Sequence, residues 1–506
     1  MSNIENDDVD YLVISYYFPP HLETSGLLVA RRIMEKNLNV DVIQSAYEES
    51  SDFNEIISKH INNRFLIDIK TKPDYIPFIF KYIDLGLKAI KKDYKKVYSR
   101  AYAYSNHFLA LEYKFKNPNV EWTAEFSDPL LLNLYTGEMK NYPRAILDNQ
   151  EYIDKLNEKI EEFNRDNNTN FKGLDNPSNT FFMAEYLTFI FADKIIFTNE
   201  NQMEVMLSVY DDELEEVVRN KSKIEVHPTI DKRFYNFKDC EIKLDDDCIN
   251  IAYFGTYYYI RHFESLFYAF EALNHKYKDK IRLYFFTSRD ELLKITTSNL
   301  KISNNIIIKK PIEYFEFLNA TTKFDILLIN DTITKDHFKV NPYLPSKYSD
   351  YIGSGSDIWG ICEEGSILSK KELKYKSSMT DYQSSCEVLI EILNEYGYND
   401  PDYYFEDKVY EKRINELNWR FGLEFDDRNR YYTRYNKLKG KNKKLKDEKR
   451  VLNDNTEKLK AKNESLVEKN NNLKKENELL KAKYDEIINS NSWKLTKPLR
   501  KLKNSK

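Results

Sequence analysis

The chain has 506 residues, 41% hydrophobic and 31% charged, which is enough for two or three domains and too apolar for a disordered protein. Its net charge of −5 conceals an asymmetry, because residues 433–506 carry +13 and residues 1–432 carry −18. Four cysteines spaced 8, 114 and 24 apart fit neither a zinc clamp nor a disulfide framework, no run of about 18 apolar residues marks a membrane span, and the acidic start is unlike a signal peptide, so a cytoplasmic protein is expected.

Residues 11–18 are a β-branched and aromatic run followed by Pro19-Pro20, a loop ending at Gly26, an amphipathic stretch to Lys36 and a second apolar run at 40–43. This order predicts strand, loop, helix, strand, the opening of a doubly wound α/β domain. Further strands are expected at 96–99, 120–126 and 194–198. The polar stretch between Leu131 and Thr180 reads as helical, either a lid or acceptor-binding element or a solvated decoration. After the acidic linker 243–247 the pattern restarts, with strands at 249–254 and 281–287, a helix over 261–276 between them, and strands at 305–309, 325–330 and 357–362. Two α/β units are therefore expected, at 1–240 and 248–432, forming two Rossmann-like domains that face a cleft. Ligands of such sheets bind at the carboxyl ends of the strands, where loops meet helix N-termini.

Beyond residue 433, Leu438, Leu445, Leu452, Leu459, Leu466, Leu473, Leu480 and Ile487 recur every seven residues. With these at d, four of the eight a positions are Asn (Asn442, Asn463, Asn470, Asn477). The pattern predicts a parallel two-stranded coiled coil over 433–488, and so a homodimer. Residues 489–506 join Trp493, Leu495, Leu499 and Leu502 to six basic side chains. This basic amphipathic tail suits an anionic membrane surface, placing the protein at the periphery of the inner face of the cell membrane; an unstructured basic end is the other reading. Nucleic acid is not an expected partner, since no zinc-finger or RNA-recognition signature accompanies the charge.

The easily recognised motifs are missing. GxGxxG is absent, which argues weakly against nicotinamide and flavin oxidoreductases, and so are a P-loop, HExxH and GxSxG. Asp8–Asp10 and Asp245–Asp247 have the form Asp-x-Asp but lie before the first strand and in the linker, where they read as solvated acid. What remains are residues on loops at strand ends. In the segment 341–355, Pro345, Ser346 and Lys347 look like a helix start whose free N–H groups and lysine suit a diphosphate. Asp350, one turn on, suits ribose hydroxyls, and Gly255 and Arg261, after the second domain's first strand, suit a second cationic contact.

Here the chain resembles the family 4-like retaining glycosyltransferases of the GT-B fold, over roughly residues 10–400. The resemblance rests on Tyr17-Phe18-Pro19-Pro20 with Gly26, on the Trp122 to Pro129 segment, on the Ala192 to Asn199 segment, and above all on Pro345-Ser346-Lys347 to Gly355. It implies a hexosyl transfer from a nucleotide-diphospho-sugar to a glycan or lipid-linked acceptor in cell-surface polysaccharide biosynthesis, with no cofactor and no required metal. The donor would be held by the second domain, through Gly255, Arg261, Ser346, Lys347 and Asp350 with Gly26 across the cleft, and the acceptor by the first. His107 stands where related enzymes present a histidine to the donor sugar, and Asp128 would orient the acceptor or serve as base; a structural histidine and a helix N-cap are the other readings of these two. The closing SWKLTKPLR looks like a short motif at the C-terminus of bacterial surface-polysaccharide enzymes. The family often has two Glu eight residues apart in the donor loop; Asp350 matches the second, and Pro342 falls at the first. That departure keeps open a second function, a non-catalytic GT-B-like scaffold that organises a polysaccharide-assembly complex through its coiled coil.

Overall fold

Strands in this chain are short apolar runs, and most are buried on both faces, as a parallel sheet covered by helices requires. The computed structural model describes residues 9–47, 51–69, 73, 75–257, 261, 263–298, 300–398, 405, 452, 455–456, 458–460 and 462–496. These belong to two units, Met1–Leu417 and Asn418–Lys506.

In the first unit the chain forms β1 (Tyr11–Ile14), β2 (Val40–Ser45), β3 (Ile61–Ile67), β4 (Lys96–Arg100), β5 (Glu121–Glu125), the antiparallel pair β6 (Ile146–Leu147) and β7 (Ser178–Asn179), then β8 (Lys194–Phe197) and β9 (Ser222–Ile224). The pattern restarts with β10 (Ile249–Phe254), β11 (Ile281–Phe286), β12 (Ile306–Lys309), β13 (Ile326–Asn330), β14 (Asp357–Cys362) and β15 (Tyr375–Ser378). One sheet has the order β3-β2-β1-β4-β5-β8-β9 and the other β12-β11-β10-β13-β14-β15, all parallel. Both orders reverse direction beside their first strand, between β1 and β4 and between β10 and β13. At such a reversal the flanking loops diverge and leave a crevice.

The expected strands are present, with five additions: the β6–β7 pair in the stretch read as helical, and three strands at edges of the two large sheets. β3 reads INNRFLI and is mostly half exposed; its polar residues suit an edge and hide its strand character from a hydrophobicity pattern. β9 and β15 are short and lie at the other edges. The single helix expected over 261–276 is two, Glu264–Ala272 and His275–Lys278, because Asn274 breaks the first and caps the second, accepting from the Lys276 N–H at 3.3 Å. In the 131–180 stretch the helix Gln150–Asn167 starts at Asn149, whose side chain accepts from the Tyr152 N–H at 3.1 Å, and stops at Asn168 in the left-handed conformation (φ 55°). It buries Ile153, Leu156 and Ile160 against the first sheet's core and turns its polar face outward.

Besides a core on each sheet, apolar clusters span the two halves, a larger one joining Val13, Phe53 and Phe234 to Phe315 and Leu318 and a smaller one joining Leu132 and Val205 to Phe338. The Phe53 and Phe315 rings stack with centroids 5.8 Å apart. Polar contacts add to this clasp: the Asn199 amide donates to the Pro342 carbonyl at 3.0 Å, and that of Asn201 to the Asn341 carbonyl at 2.9 Å. Pro342, which stands where the resembling family often has Glu, thus contributes its backbone carbonyl to the joint.

The second unit is described mainly as a helix over 462–489, on which Leu466, Leu473, Leu480 and Ile487 are all more than half exposed. Heptad positions Leu438 and Leu445 lie outside the described residues, as do positions 497–506 of the basic tail. Among the described residues no helix is long and apolar enough to cross a membrane.

Candidate functional site

A cavity of about 620 Å³ opens at the carboxyl ends of both sheets, at the two reversal points. The first half lines it with Glu23 to Ser25 after β1, Arg100 at the end of β4 and Tyr102 just after it, Ser127 to Pro129 after β5, and His227 after β9. The stretch 132–142 also contributes, so the polar insertion borders the cavity through its opening segment, while no residue of the helix Gln150–Asn167 does. The second half adds Arg261 after β10, Asp331 after β13, and Tyr343 to Ser346 before the helix Lys347–Ser354.

One wall is a buried charge network. Glu125, fully buried on β5, accepts from the Arg32 guanidinium at 2.6 and 3.0 Å, from the Tyr98 hydroxyl at 2.5 Å, and from Arg100. Two guanidiniums share that carboxylate. Arg100 also reaches the Ser25 hydroxyl at 3.2 Å and His227 Nε2 at 3.5 Å. Burial, reinforced by Arg100, Arg32 and Arg31, pushes the His227 pKa well below the usual imidazole range, so its ring is neutral and its Nε2 is an acceptor.

Asp128 faces this wall. Its side chain is open to the cavity yet ringed by protein, and that enclosure raises its pKa to about 6, against the pull of Arg100, Lys140 and Arg261. The loop that carries it is pinned from behind. Glu185 accepts the Leu130 and Leu131 N–H groups at 3.1 and 3.2 Å and the Tyr210 hydroxyl at 3.0 Å, while Lys140 donates to the Leu130 carbonyl at 2.7 Å.

Lys347, Arg261 and Gly255 come together on the opposite side. Gly255 has φ +150°, and a Cβ there would sit 2.9 Å from the Lys347 Nζ and 3.1 Å from the Tyr253 hydroxyl, to which Arg261 donates at 3.2 Å. Glycine therefore makes room for the lysine head. Among the described residues Lys347 has no hydrogen-bond or ion-pair partner. Burial first, and Arg261 second, lower its pKa to about 8, with Asp350 opposing. The lysine opens the helix Lys347–Ser354, and Ser346, whose hydroxyl makes no capping bond, lines the cavity just before it. Two cations beside a helix N-terminus form an anion site.

The structure thus brings Asp128, Arg261 and Ser346 to one cavity, with Lys347 and Gly255 adjoining, and places three expected site residues elsewhere. Asp350 is outside the lining: its carboxylate is held by Arg31 of the first half and by the Tyr314 hydroxyl at 3.3 Å, because the buried guanidinium requires a counter-charge. His107 is 1% exposed in the core, its Nδ1 2.8 Å from the Ser99 hydroxyl and its ring 4.9 Å from that of Phe126. Burial, then Arg100, lowers its pKa to about 3, so it is a neutral core ring rather than a group presented to the cavity. Gly26 also lies off the lining. A Cβ there would be 1.9 Å from the Tyr17 carbonyl oxygen, so glycine is needed for helix Thr24–Glu35 to pass the Tyr17-Phe18 backbone.

Asp331 is a lining residue that the sequence did not single out. It is 1% exposed and follows β13 at the reversal point. One carboxylate oxygen accepts from the Ser366 hydroxyl at 2.5 Å and the Glu363 N–H at 2.9 Å, and the other, Oδ1, has no partner among the described residues. Burial raises its pKa to about 7, against Ser366, the Glu363 N–H and Arg261, with Glu363 raising it further. The available signal was an acidic residue directly after a fully buried strand, ILLIN, whose first four residues are apolar. Among the described residues no group of three or more His, Cys, Asp or Glu is placed to hold a metal ion.

No family model matches the sequence, and no curated protein matches it. Solved structures do resemble it. The HepE protein of Anabaena in complex with UDP-glucose is 10% identical, with a TM-score of 0.48 over 81% of this chain and 99% of its own. The sucrose-phosphate synthase of Thermosynechococcus elongatus is 11% identical, with a TM-score of 0.48 over 82% and 98%. A lipopolysaccharide outer core galactosyltransferase, WaaB, in its apo form, is 10% identical, with a TM-score of 0.45 over 81% and 99%.

Proposed function

We propose that this chain is a glycosyltransferase that moves a hexosyl group from a nucleotide-diphospho-sugar to a glycan or lipid-linked acceptor in surface-polysaccharide assembly, with retention and without a metal. The observation that carries the reading is Lys347, which has no hydrogen-bond or ion-pair partner among the described residues and stands beside Arg261 and a helix N-terminus. A half-buried cation enclosed with a second cation is relieved by an anion.

The donor diphosphate lies against Lys347, Arg261 and the helix N–H groups. As the bond from the anomeric carbon to the phosphate oxygen breaks, negative charge grows on the leaving diphosphate where those cations already stand. The acceptor hydroxyl bonds to the anomeric carbon on the face the diphosphate leaves, and its proton passes to a diphosphate oxygen. Asp128, ionised at neutral pH with its pKa of about 6, accepts a hydrogen bond from that hydroxyl and orients it. Asp331, whose Oδ1 has no partner among the described residues, would accept from a donor hydroxyl, a role the resemblance assigned to Asp350. The coiled coil would make the protein a homodimer, and the basic tail would hold it at an anionic membrane surface from the cytoplasmic side, near a lipid-linked acceptor.

One observation favours the scaffold reading, the engagement of Asp350 by Arg31. Thermal shift of the full chain with UDP, GDP, CMP and their common sugar conjugates, with Lys347→Ala as control, separates the two. Stabilisation by one nucleotide series, lost in the variant, supports transfer. No shift with any nucleotide at millimolar concentration leaves the scaffold.

A further inference from the structure

Two consecutive residues after β4 have backbone conformations that L-residues avoid: Tyr102 at φ +104° and Ala103 at φ +41°. For a bulky tyrosine this is a strained geometry, kept only where the surroundings over-determine it. They do so here. Ala101 donates its N–H to the Glu125 carbonyl at 2.9 Å and accepts the Ser127 hydroxyl. Asn106, 1% exposed, donates its side-chain amide to the Arg100 carbonyl at 2.9 Å and its backbone N–H to the Ala103 carbonyl at 2.9 Å, while its Oδ1 takes the Tyr16 N–H and the Tyr82 hydroxyl at 3.2 and 3.0 Å.

The result is a side chain displayed rather than buried. Ala101 and Ala103 are in the core, yet Tyr102 is 56% exposed and lines the cavity. The Tyr17 ring supports it, with centroids 5.6 Å apart and planes 30° apart. Glu23, Ser127 and Asp128 line the same cavity and can take hydrogen bonds from hydroxyl groups.

We propose that Tyr102 is the floor of a pyranose subsite in the first half, the ring face packing on the C–H face of the acceptor's terminal sugar while Asp128 and Ser127 read its hydroxyls. An aromatic face carries negative charge density that suits polarised C–H groups, and the flanking carboxylates suit hydroxyl donors. The cations Lys347 and Arg261, which suit the diphosphate of a donor, stand on the opposite side of the cavity, which leaves this face to a neutral sugar. The word acceptor rests on the glycosyltransferase reading; the pyranose site does not.

The test uses the full chain, with methyl glycosides of glucose, galactose and N-acetylglucosamine as probes, followed by saturation-transfer NMR and titration in the absence of nucleotide. At least one glycoside is expected to bind at millimolar concentration, with transfer concentrated on one face of the ring. Tyr102→Ala weakens it about tenfold, and Tyr102→Phe retains it. Tyr102→Gly removes the ring and relaxes the backbone, so it is expected to raise the melting temperature while losing the sugar. Failure of the wild type to bind any of the three, or equal binding by wild type, Tyr102→Ala and Tyr102→Gly, overturns the proposal. Loss of UDP affinity in Tyr102→Ala with glycoside binding intact assigns the ring to a nucleobase and overturns it too. Glycoside binding that depends on Tyr102, in a protein that binds no nucleotide, supports the subsite and removes only the transferase reading.

Discussion

Arg31 and Asp350, 319 positions apart, form a buried ion pair that ties helix Thr24–Glu35 of the first half to helix Lys347–Ser354 of the second. The same guanidinium donates to the Ser349 hydroxyl and the Pro228 carbonyl, each at 3.3 Å. Both side chains are less than a tenth exposed, so removing one strands the other. Arg31→Ala or Asp350→Asn is expected to lower stability by about 3–5 kcal/mol in urea unfolding, while Arg31→Met with Asp350→Leu recovers most of it. Equal losses in the single and double variants would mean that packing, not charge, holds the joint.

Gly255 has two reasons to be glycine, its φ of +150° and the Lys347 head beside it. Gly255→Ala displaces that head, so nucleotide affinity should fall about as far as in Lys347→Ala, and Lys347→Ala should depress turnover by about two orders of magnitude. Calorimetry and initial rates measure both. A folded Lys347→Ala protein with full turnover removes this lysine from the site.

The lowered pKa of Lys347 gives a pH signature. As pH rises through about 8 the free protein loses this proton, so phosphate affinity should fall above that pH, and binding just above it should take up protons. Calorimetry in two buffers of different ionisation heat reads the uptake. For folding, the native pKa lies below the ordinary lysine value of 10.5. The unfolded chain therefore holds more protons between the two values, and stability gains from this group as pH rises from about 8 toward 10.5. Lys347→Met abolishes both effects.

His107 follows the same sign in a lower pH window. With a folded pKa of about 3 against 6.5 unfolded, the unfolded chain takes the proton first, so stability from its neutral form is present above 6.5 and is lost as pH falls toward 3. His107→Gln should flatten acid unfolding across that window and leave nucleotide affinity unchanged. A large loss of nucleotide affinity in a stable variant would return this histidine to the site.

If Lys347 and Arg261 meet the charge of the leaving diphosphate, chelation is without effect. Turnover should be the same in EDTA and in excess magnesium; a loss of about tenfold or more in EDTA, restored by magnesium, would show that the cations need a metal's help.

Much of this protein is legible along the chain. Apolar runs such as INIAYF and ILLIN at β10 and β13 mark buried parallel strands because helices cover both faces. Residues on the loops after those strands, Arg261 and Ser346 among them, reach the cavity because strand direction fixes which end a loop occupies. Edge strand β3, half exposed and rich in Asn, carries no such signal. Whether a polar side chain is available for chemistry was decided only in three dimensions. Asp350 has the right spacing in the donor loop, but Arg31 from the far half claims it; His107 has the right position after a strand, but Phe126 and Trp122 close over it. Tyr102 is one tyrosine among 39 until clamps from Ser127 and Asn106 turn it into the cavity. Local sequence specifies the direction and burial of a strand because those depend on neighbours in the chain. The charge, exposure and strain of a side chain depend on partners that the fold alone brings near.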